Sequence, residues 1–344
     1  MKVSKKSLVS MSMPYAISNV RAEGEDHIIA ATEDYGPLVT FSPPEWEAVQ
    51  IMPGPGGCMS LIQRPDVSNQ VMAIMQCFPG YKFHDAGVYV LEGSLGSGDW
   101  THTRIMDLPF AHRLEVVRRA GKQWLIAASL AETKDSPEDW SKPGAVYAGV
   151  LEGPLKEKLP MKEVLTGLHK NHGLLVSSLG EKRILMITGE EGLFISDLDD
   201  DSSEWKWDHM IDHEISEVFL RDLDGDGVDE LVTIEPLHGN KLRVYRMNGS
   251  TWEPIVELPV DFGHGLWVGE LRGQHAILVG NRRGSRDLDL YTVESTDPFQ
   301  LRKHVIDEAV GPANIAVLPG AEVDRIFTTN QETSEVALYT LSEI

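Results

Sequence analysis

Short alternating apolar runs, broken by glycine-containing turns, fill this chain from end to end. The segments VFLRDLDGDGVDELVTIE (218–235) and LWVGELRGQHAILVGN (266–281) each read as apolar strand, turn, apolar strand. The same shape recurs in LEVVRRAGKQWLIAAS (114–129), LLVSSLGEKRILMITG (174–189) and IAVLPGAEVDRIFTT (315–329). Weaker copies are SNVRAEGEDHIIAAT (18–32) and MSLIQRPDVSNQVMAIM (59–75). A third alternating run follows each copy, such as VYVLEG (88–93), LRVYRM (242–247) or VALYTL (336–341). A fourth usually closes the unit, as in WTHTRIMDLP (100–109), WKWDHMI (205–211) and WEPIVELP (252–259). A period of two predicts strands, and no segment with a helical period competes. Four short strands recurring every ~40–50 residues predict the blades of a β-propeller.

About seven copies are present. The expected fold is therefore all-β: a single seven-bladed propeller with blades near 14–55, 56–109, 110–168, 169–212, 213–260, 261–308 and 309–344. The last unit holds three strands before Ile344, and KSLVSMSM (6–13) precedes the first unit. That segment is expected to supply the missing strand and close the ring, leaving only short, protected strand edges. One ring thus replaces the two or three domains that 344 residues would otherwise suggest.

The repeat also orders the polar side chains. With the inner strands aligned on their first apolar residue, Ala16, Gly57, His112, His172, Ser216, His264 and Ala313 stand two positions earlier. Three of these seven are histidine in a chain with only 12. Inner strands begin at one mouth of the central channel, where the loops between second and third strands also open. His112, His172 and His264 are therefore the expected catalytic ring of a funnel. Histidine serves as base, acid or metal ligand near neutral pH, and the residues alone leave these roles open. Three imidazoles with a nearby carboxylate also suit Zn²⁺ or another divalent ion. Expected substrate contacts are Arg113, His84, Trp140, Glu235, His238 and Arg282 on or beside the mouth loops, where binding groups concentrate. Arginine would favour an acidic sugar, because it holds carboxylates bidentately.

DLDGDGVDE (222–230) carries a second metal signal. It sets Asp222, Asp224 and Asp226 at alternate positions, followed by the Val228 carbonyl and Glu230. Hard oxygen ligands at this spacing point to Ca²⁺ as a structural clip, at the mouth opposite the histidines. Cys58 and Cys77 are the only cysteines and are expected as buried free thiols.

Composition narrows the partners. Lys+Arg 31 against Asp+Glu 53 give a net charge of -22, which disfavours nucleic acid and anionic membranes as partners. The N-terminal lysines are not followed by an apolar core, so no secretory signal is expected, and no run approaches a membrane span. The expected location is the cytoplasm, with a small-molecule or oligosaccharide substrate; oligomeric state is left open.

DLDGDGVDELV resembles the strand–turn–strand core of FG-GAP/VCBS propeller repeats, which implies calcium in that loop. With PFAHRLEVV (109–117), KNHGLLV (170–176) and FGHGLWV (262–268), the whole chain more distantly resembles the propeller domain of aldos-2-ulose (anhydrofructose) dehydratases. Its layout is also similar to single-domain propeller polysaccharide lyases acting on rhamnose–glucuronate and ulvan-type linkages. The resemblance implies a carbon–oxygen lyase or dehydratase that eliminates across a sugar or keto sugar using funnel histidines. It carries over only the blade-start histidines, and the dehydratases' additional C-terminal domains have no counterpart here. Two other classes stay open: a non-catalytic glycan- or protein-binding propeller, and a metal-dependent lactonase-type hydrolase.

Overall fold

The computed structural model describes residues 1–65, 67–155 and 158–344. They form seven four-stranded antiparallel sheets, with no helix among the described residues. The sheets are the blades of a propeller. Their inner strands are Pro14–Ala22, Ser60–Gln63, Ala111–Arg119, Leu174–Leu179, Glu217–Arg221, Gly263–Leu271 and Pro312–Leu318. Three more strands follow each of the first six outward in chain order. Blade 1, for example, continues through Glu25–Thr32 and Leu38–Ser42 to Glu47–Met52.

The seventh sheet is completed from the other end of the chain. Lys2–Ser10 pairs antiparallel with Glu335–Glu343, so the first strand is the outer strand of the last blade. The pairing segment starts four residues earlier than KSLVSMSM suggests, and Met11 buries against the seam between blades 7 and 1. Phe327 and Trp46 meet across the same seam, ring centres 4.9 Å apart. Lys5 adds ion pairs to Asp307 of blade 6 and Glu335 of blade 7, each at 2.8 Å.

The core lies between blades. Second strands such as Gln70–Met75 are buried at every residue because a blade packs on each face. That is why they read as unbroken apolar runs. Outer strands such as Lys162–Leu168 expose one face and read as mixed polar sequence. Blade 4 departs from expectation here. Only Asp208–Ile211 of WKWDHMI joins its sheet. Trp205 and Trp207 are drawn to blade 3 instead: Arg119 lies over Trp205 at 4.6 Å, and the Trp207 indole N–H donates to the Val164 carbonyl at 2.8 Å.

Among the described residues no helix is long and apolar enough to cross a membrane. Cys58 and Cys77 are free and buried. Deleting residues 1–10 strips the outer strand from blade 7, exposing the edge of Glu335–Glu343. The truncated protein is expected to melt on the order of 5–10 °C lower and to associate at high concentration. Calorimetry with light scattering checks this; unchanged melting would show that the pairing does not hold the ring.

Candidate functional site at the ring centre

The histidine positions are made by a recurring backbone device. In blade 3, Ala111 pairs with Ser129 and Arg113 with Ala128, so His112 is left out of the ladder. In blade 6, Gly263 pairs with Asn281 and Gly265 with Gly280, leaving out His264. In blade 1, Pro14 pairs with Thr32 and Ala16 with Ala31, leaving out Tyr15. Such a bulge bends the strand and re-aims one side chain. Two residues before each stands a left-handed backbone, at Met13 (φ 43°), Phe110 (57°) and Phe262 (55°). Lys170 (53°) stands likewise before His172. Left-handed non-glycine residues are uncommon and gather at functional sites. The bulge also corrects the alignment: Tyr15, not Ala16, shares the position of His112 and His264.

These side chains meet across the channel, from blades 1, 3, 4 and 6. The Tyr15 hydroxyl lies 3.2 Å from His112 Nε2 and 3.0 Å from His264 Nε2. The His112 and His172 ring centres are 4.3 Å apart, and those of His172 and His264 5.4 Å. His238, from the second-to-third-strand loop of blade 5, completes the cluster with Nε2 3.2 Å from His172 Nε2. One donor nitrogen each of His172, His238 and His264 lies within 4.8 Å of the other two.

The surrounding acceptors place the protons. His264 Nδ1 faces the Ala313 carbonyl at 2.5 Å, so it carries the proton and Nε2 keeps a lone pair. His172 Nδ1 faces the Glu217 carboxylate at 2.7 Å, which leaves its Nε2 free in the same way. Tyr15 then donates to His264 and accepts from His112 Nε2. His112 Nδ1 is left buried, deprotonated and without a partner. Both side-chain atoms of Asn171, next in chain to His172, are likewise buried and unpartnered. Glu217 also pairs with Arg113, whose Nε donates to the His172 carbonyl at 2.9 Å. Gly173 fits between because a Cβ there would lie 2.2 Å from Thr188 Oγ1 and 2.7 Å from the Ser216 carbonyl.

Burial sets the charge states. It pushes His112, His238 and His264 well below the ordinary 6.5, and neighbouring histidines and arginines push the same way. His172 is lowered by burial too, against the opposing pull of Glu217. Burial works against the Glu217 charge as well, but Arg113 and His172 outweigh it and hold the carboxyl below 4.5. Burial raises the Tyr15 hydroxyl, so it stays protonated. The centre is thus four neutral imidazoles and a phenol above one ion pair.

The other expected residues lie as follows. Arg113 is engaged by Glu217 rather than open to a substrate. Glu235 is turned into blade 5, where it bonds Thr233, Tyr245, Arg243 and His213, so it does not join the funnel. Arg282 stands at the mouth and donates to Gln331, which donates to Glu33 at 3.0 Å, a belt across blades 6, 7 and 1. Phe262 stacks on His238 at 4.6 Å, and Arg283 covers Phe262 at 4.5 Å. Neither Arg282 nor Arg283 has a carboxylate partner among the described residues. The long loops of blades 2 and 3 lie side by side. Trp140 packs edge-on to Tyr81 at 5.9 Å with Lys134 between them, while His84 stands edge-on to Phe110 at 5.1 Å.

In the acidic loop, Asp222, Asp224 and Asp226 converge within 4.8 Å. Glu230 does not join them. It is buried, accepts the Leu223 N–H at 2.9 Å and pairs with Arg246, which also holds Asp224. Val228 is half exposed at the tip.

No protein-family model matches this chain, and no curated protein matches it in sequence. Solved structures share its architecture. They include a chain from the structure of BBS1N in complex with ARL6DN, 12% identical over 98% of this chain and 97% of that one, with a TM-score of 0.57. A chain of the mitotic checkpoint complex is 11% identical over 99% and 93%, with a TM-score of 0.62. A glucose dehydrogenase is 14% identical over 99% and 100%, with a TM-score of 0.50. At such identities the likeness is one of fold: the chain is a seven-bladed β-propeller.

Two stability predictions follow from the buried centre. Glu217→Ala leaves Arg113 charged and unpaired and is expected to cost about 3–5 kcal/mol in urea unfolding, Glu217→Gln distinctly less. In chelator-treated protein, the histidines bind protons less readily folded than unfolded. Their contribution is therefore complete above pH 6.5 and lost as the pH falls below it, by up to about 1.4 kcal/mol per pH unit for each. His264→Gln should flatten that slope between pH 7.5 and 5.5.

Proposed function

We propose that the ring centre is the active site of a carbon–oxygen lyase acting on a carbohydrate, with a divalent transition metal held by His172, His238 and His264. The observation that supports it is the donor set: neutral imidazoles, two of them with Nδ1 anchored on a carboxylate or carbonyl and Nε2 turned inward. Metal-binding histidines characteristically have that second partner. The 3.2 Å between His172 and His238 Nε2 is also close to the ~3.3 Å separating two nitrogens on one tetrahedral ion with bonds of ~2.0–2.1 Å. When bound, the ion supplies Lewis-acid stabilisation of a developing enolate oxygen.

The chain's own groups supply the proton transfers. The unpartnered His112 Nδ1 takes a proton from the carbon beside a carbonyl or carboxyl group. The Tyr15 hydroxyl, still accepting from His112 Nε2 but released by His264 Nε2 when that lone pair holds the ion, would protonate the departing oxygen as the carbon–oxygen bond breaks and a double bond forms. Arg282 and Arg283 at the mouth favour a carboxylate-bearing sugar. Partly exposed His238, under Phe262, marks the way in. A glucose dehydrogenase built on the same fold is a precedent for sugar chemistry on such a ring. The loop at 222–230 is proposed as a separate calcium clip, using Asp222, Asp224 and Asp226. The two fold neighbours found in protein assemblies support a second reading, a ring that binds a partner without turnover.

Metal analysis of the purified protein, with ultraviolet detection of unsaturated product from anhydrofructose and uronate oligosaccharides, tests the proposal. About one equivalent of transition metal is expected, lost in His172→Ala and His264→Ala together with at least ~100-fold of turnover. His112→Ala and Tyr15→Phe should keep the metal and lose the rate. Acid release from lactones without absorbing product would reassign the site to a hydrolase. Calcium alone with no turnover would leave the binding reading.

A further inference from the structure

Beneath the histidine layer lies a second compartment. A cavity of about 470 Å³ runs down the axis, walled by the inner strands and by no loop of the histidine mouth among the described residues. The Arg113–Glu217 pair and His264 form its upper end, so it faces the opposite mouth. Three residues beyond His112, Ser216 and His264, at matching positions in blades 3, 5 and 6, stand Glu115, Phe219 and Trp267. All three line the cavity.

Most polar groups of this wall are already engaged. Asn19 donates to the Val317 carbonyl at 3.0 Å and Asn314 to the Tyr15 carbonyl at 2.9 Å. Ser60 Oγ accepts the Leu114 N–H at 3.2 Å, and Arg113 and Glu217 satisfy each other. Glu115 differs. Among the described residues it has no side-chain partner and no cation, only the backbone at Val116. Burial pushes its carboxyl up to about 7, so a bound cation would draw it into the ionised form. The remaining wall is apolar or aromatic save for Ser18, whose hydroxyl donates to the Asn19 carbonyl at 3.3 Å, and its volume is that of a small-molecule site.

We propose that the channel beneath the histidines is a second ligand site, for a small organic amine whose ammonium group rests on Glu115 and whose apolar body packs on Phe219 and Trp267. A carboxyl without a side-chain partner, flanked by apolar and aromatic side chains, selects a cation with an apolar body over a hydrated metal ion, because only the former gains from those side chains. The net charge of -22 raises the local concentration of cations. The site is independent of the chemistry proposed for the histidines.

Titration calorimetry of the full-length protein with phenethylamine tests this, with 2-phenylethanol and phenylacetate as controls. One equivalent of phenethylamine should bind with a Kd at or below ~1 mM, and the controls at least ~10-fold more weakly. Glu115→Gln should lose at least ~10-fold, with melting temperature confirming the fold. If that variant does not fold, Glu115→Asp serves, and is expected to weaken binding by withdrawing the carboxylate one methylene. His238→Ala, in the layer above, should leave amine affinity unchanged. Absence of binding at ~10 mM, equal binding of phenylacetate, undiminished affinity in the Glu115 variant, or loss in His238→Ala each overturns the proposal.

Discussion

Everything at the centre of this molecule depends on the ring being closed, because an open stack of blades has no axis. Closure comes from pairing Lys2–Ser10 with Glu335–Glu343, the two ends of the chain. Each blade buries both faces of its second strand on neighbours, so opening at any seam would expose two apolar faces at once. The closed ring brings Tyr15, His112, His172 and His264 into contact although 249 residues separate the first from the last. No short-range preference of the chain would assemble that cluster.

The rigid ring then carries local strain at the blade starts. Bulges and left-handed residues recur where the inner strands of blades 1, 3 and 6 begin, and there they converge on one cluster of titratable groups. An unbulged strand would hold Tyr15, His112 and His264 in the regular alternation, pointing along the blade faces. The same strands run regularly below this level, where they simply wall the channel. Irregular backbone and the histidine cluster thus occupy one layer, and regular backbone the next.

This division explains what was legible in the sequence. The blades were legible because strand–turn–strand repeats bury their second strand, giving unbroken apolar runs like ILMITG (184–189). The outer strands Glu47–Met52 and Lys162–Leu168 were not, because a face open to water admits polar residues. His112, His172 and His264 stood out through their shared repeat position. Tyr15 did not, because alignment on Ser18, one residue past the equivalent Ile17, puts Ala16 in its place. Glu217 is a single carboxylate at the start of an apolar strand, with nothing in its neighbours to announce Arg113 two blades away. Glu235 was read as a mouth residue from its place at a strand end. Its contacts with Arg243 and Tyr245 on the adjacent strand instead depend on side-chain direction, which alternates at each residue.

The Arg113–Glu217 pair is the hinge between the two layers, and its value is geometric rather than stabilising. A buried ion pair regains in attraction little more than it loses in desolvation, and well-packed apolar groups of equal volume are often as stable. Stability alone therefore gives no reason for charge at this depth. Position does. Glu217 supplies the acceptor that fixes the His172 tautomer, and Arg113 keeps Glu217 ionised despite its burial. Without the arginine, burial would favour a protonated carboxyl at this depth, weakening its pull on His172 Nδ1. The same pair caps the lower cavity, so the axial channel is divided into a histidine chamber above and a strand-walled one below, each with a titratable group lacking a side-chain partner there: His112 Nδ1 above and the Glu115 carboxyl below.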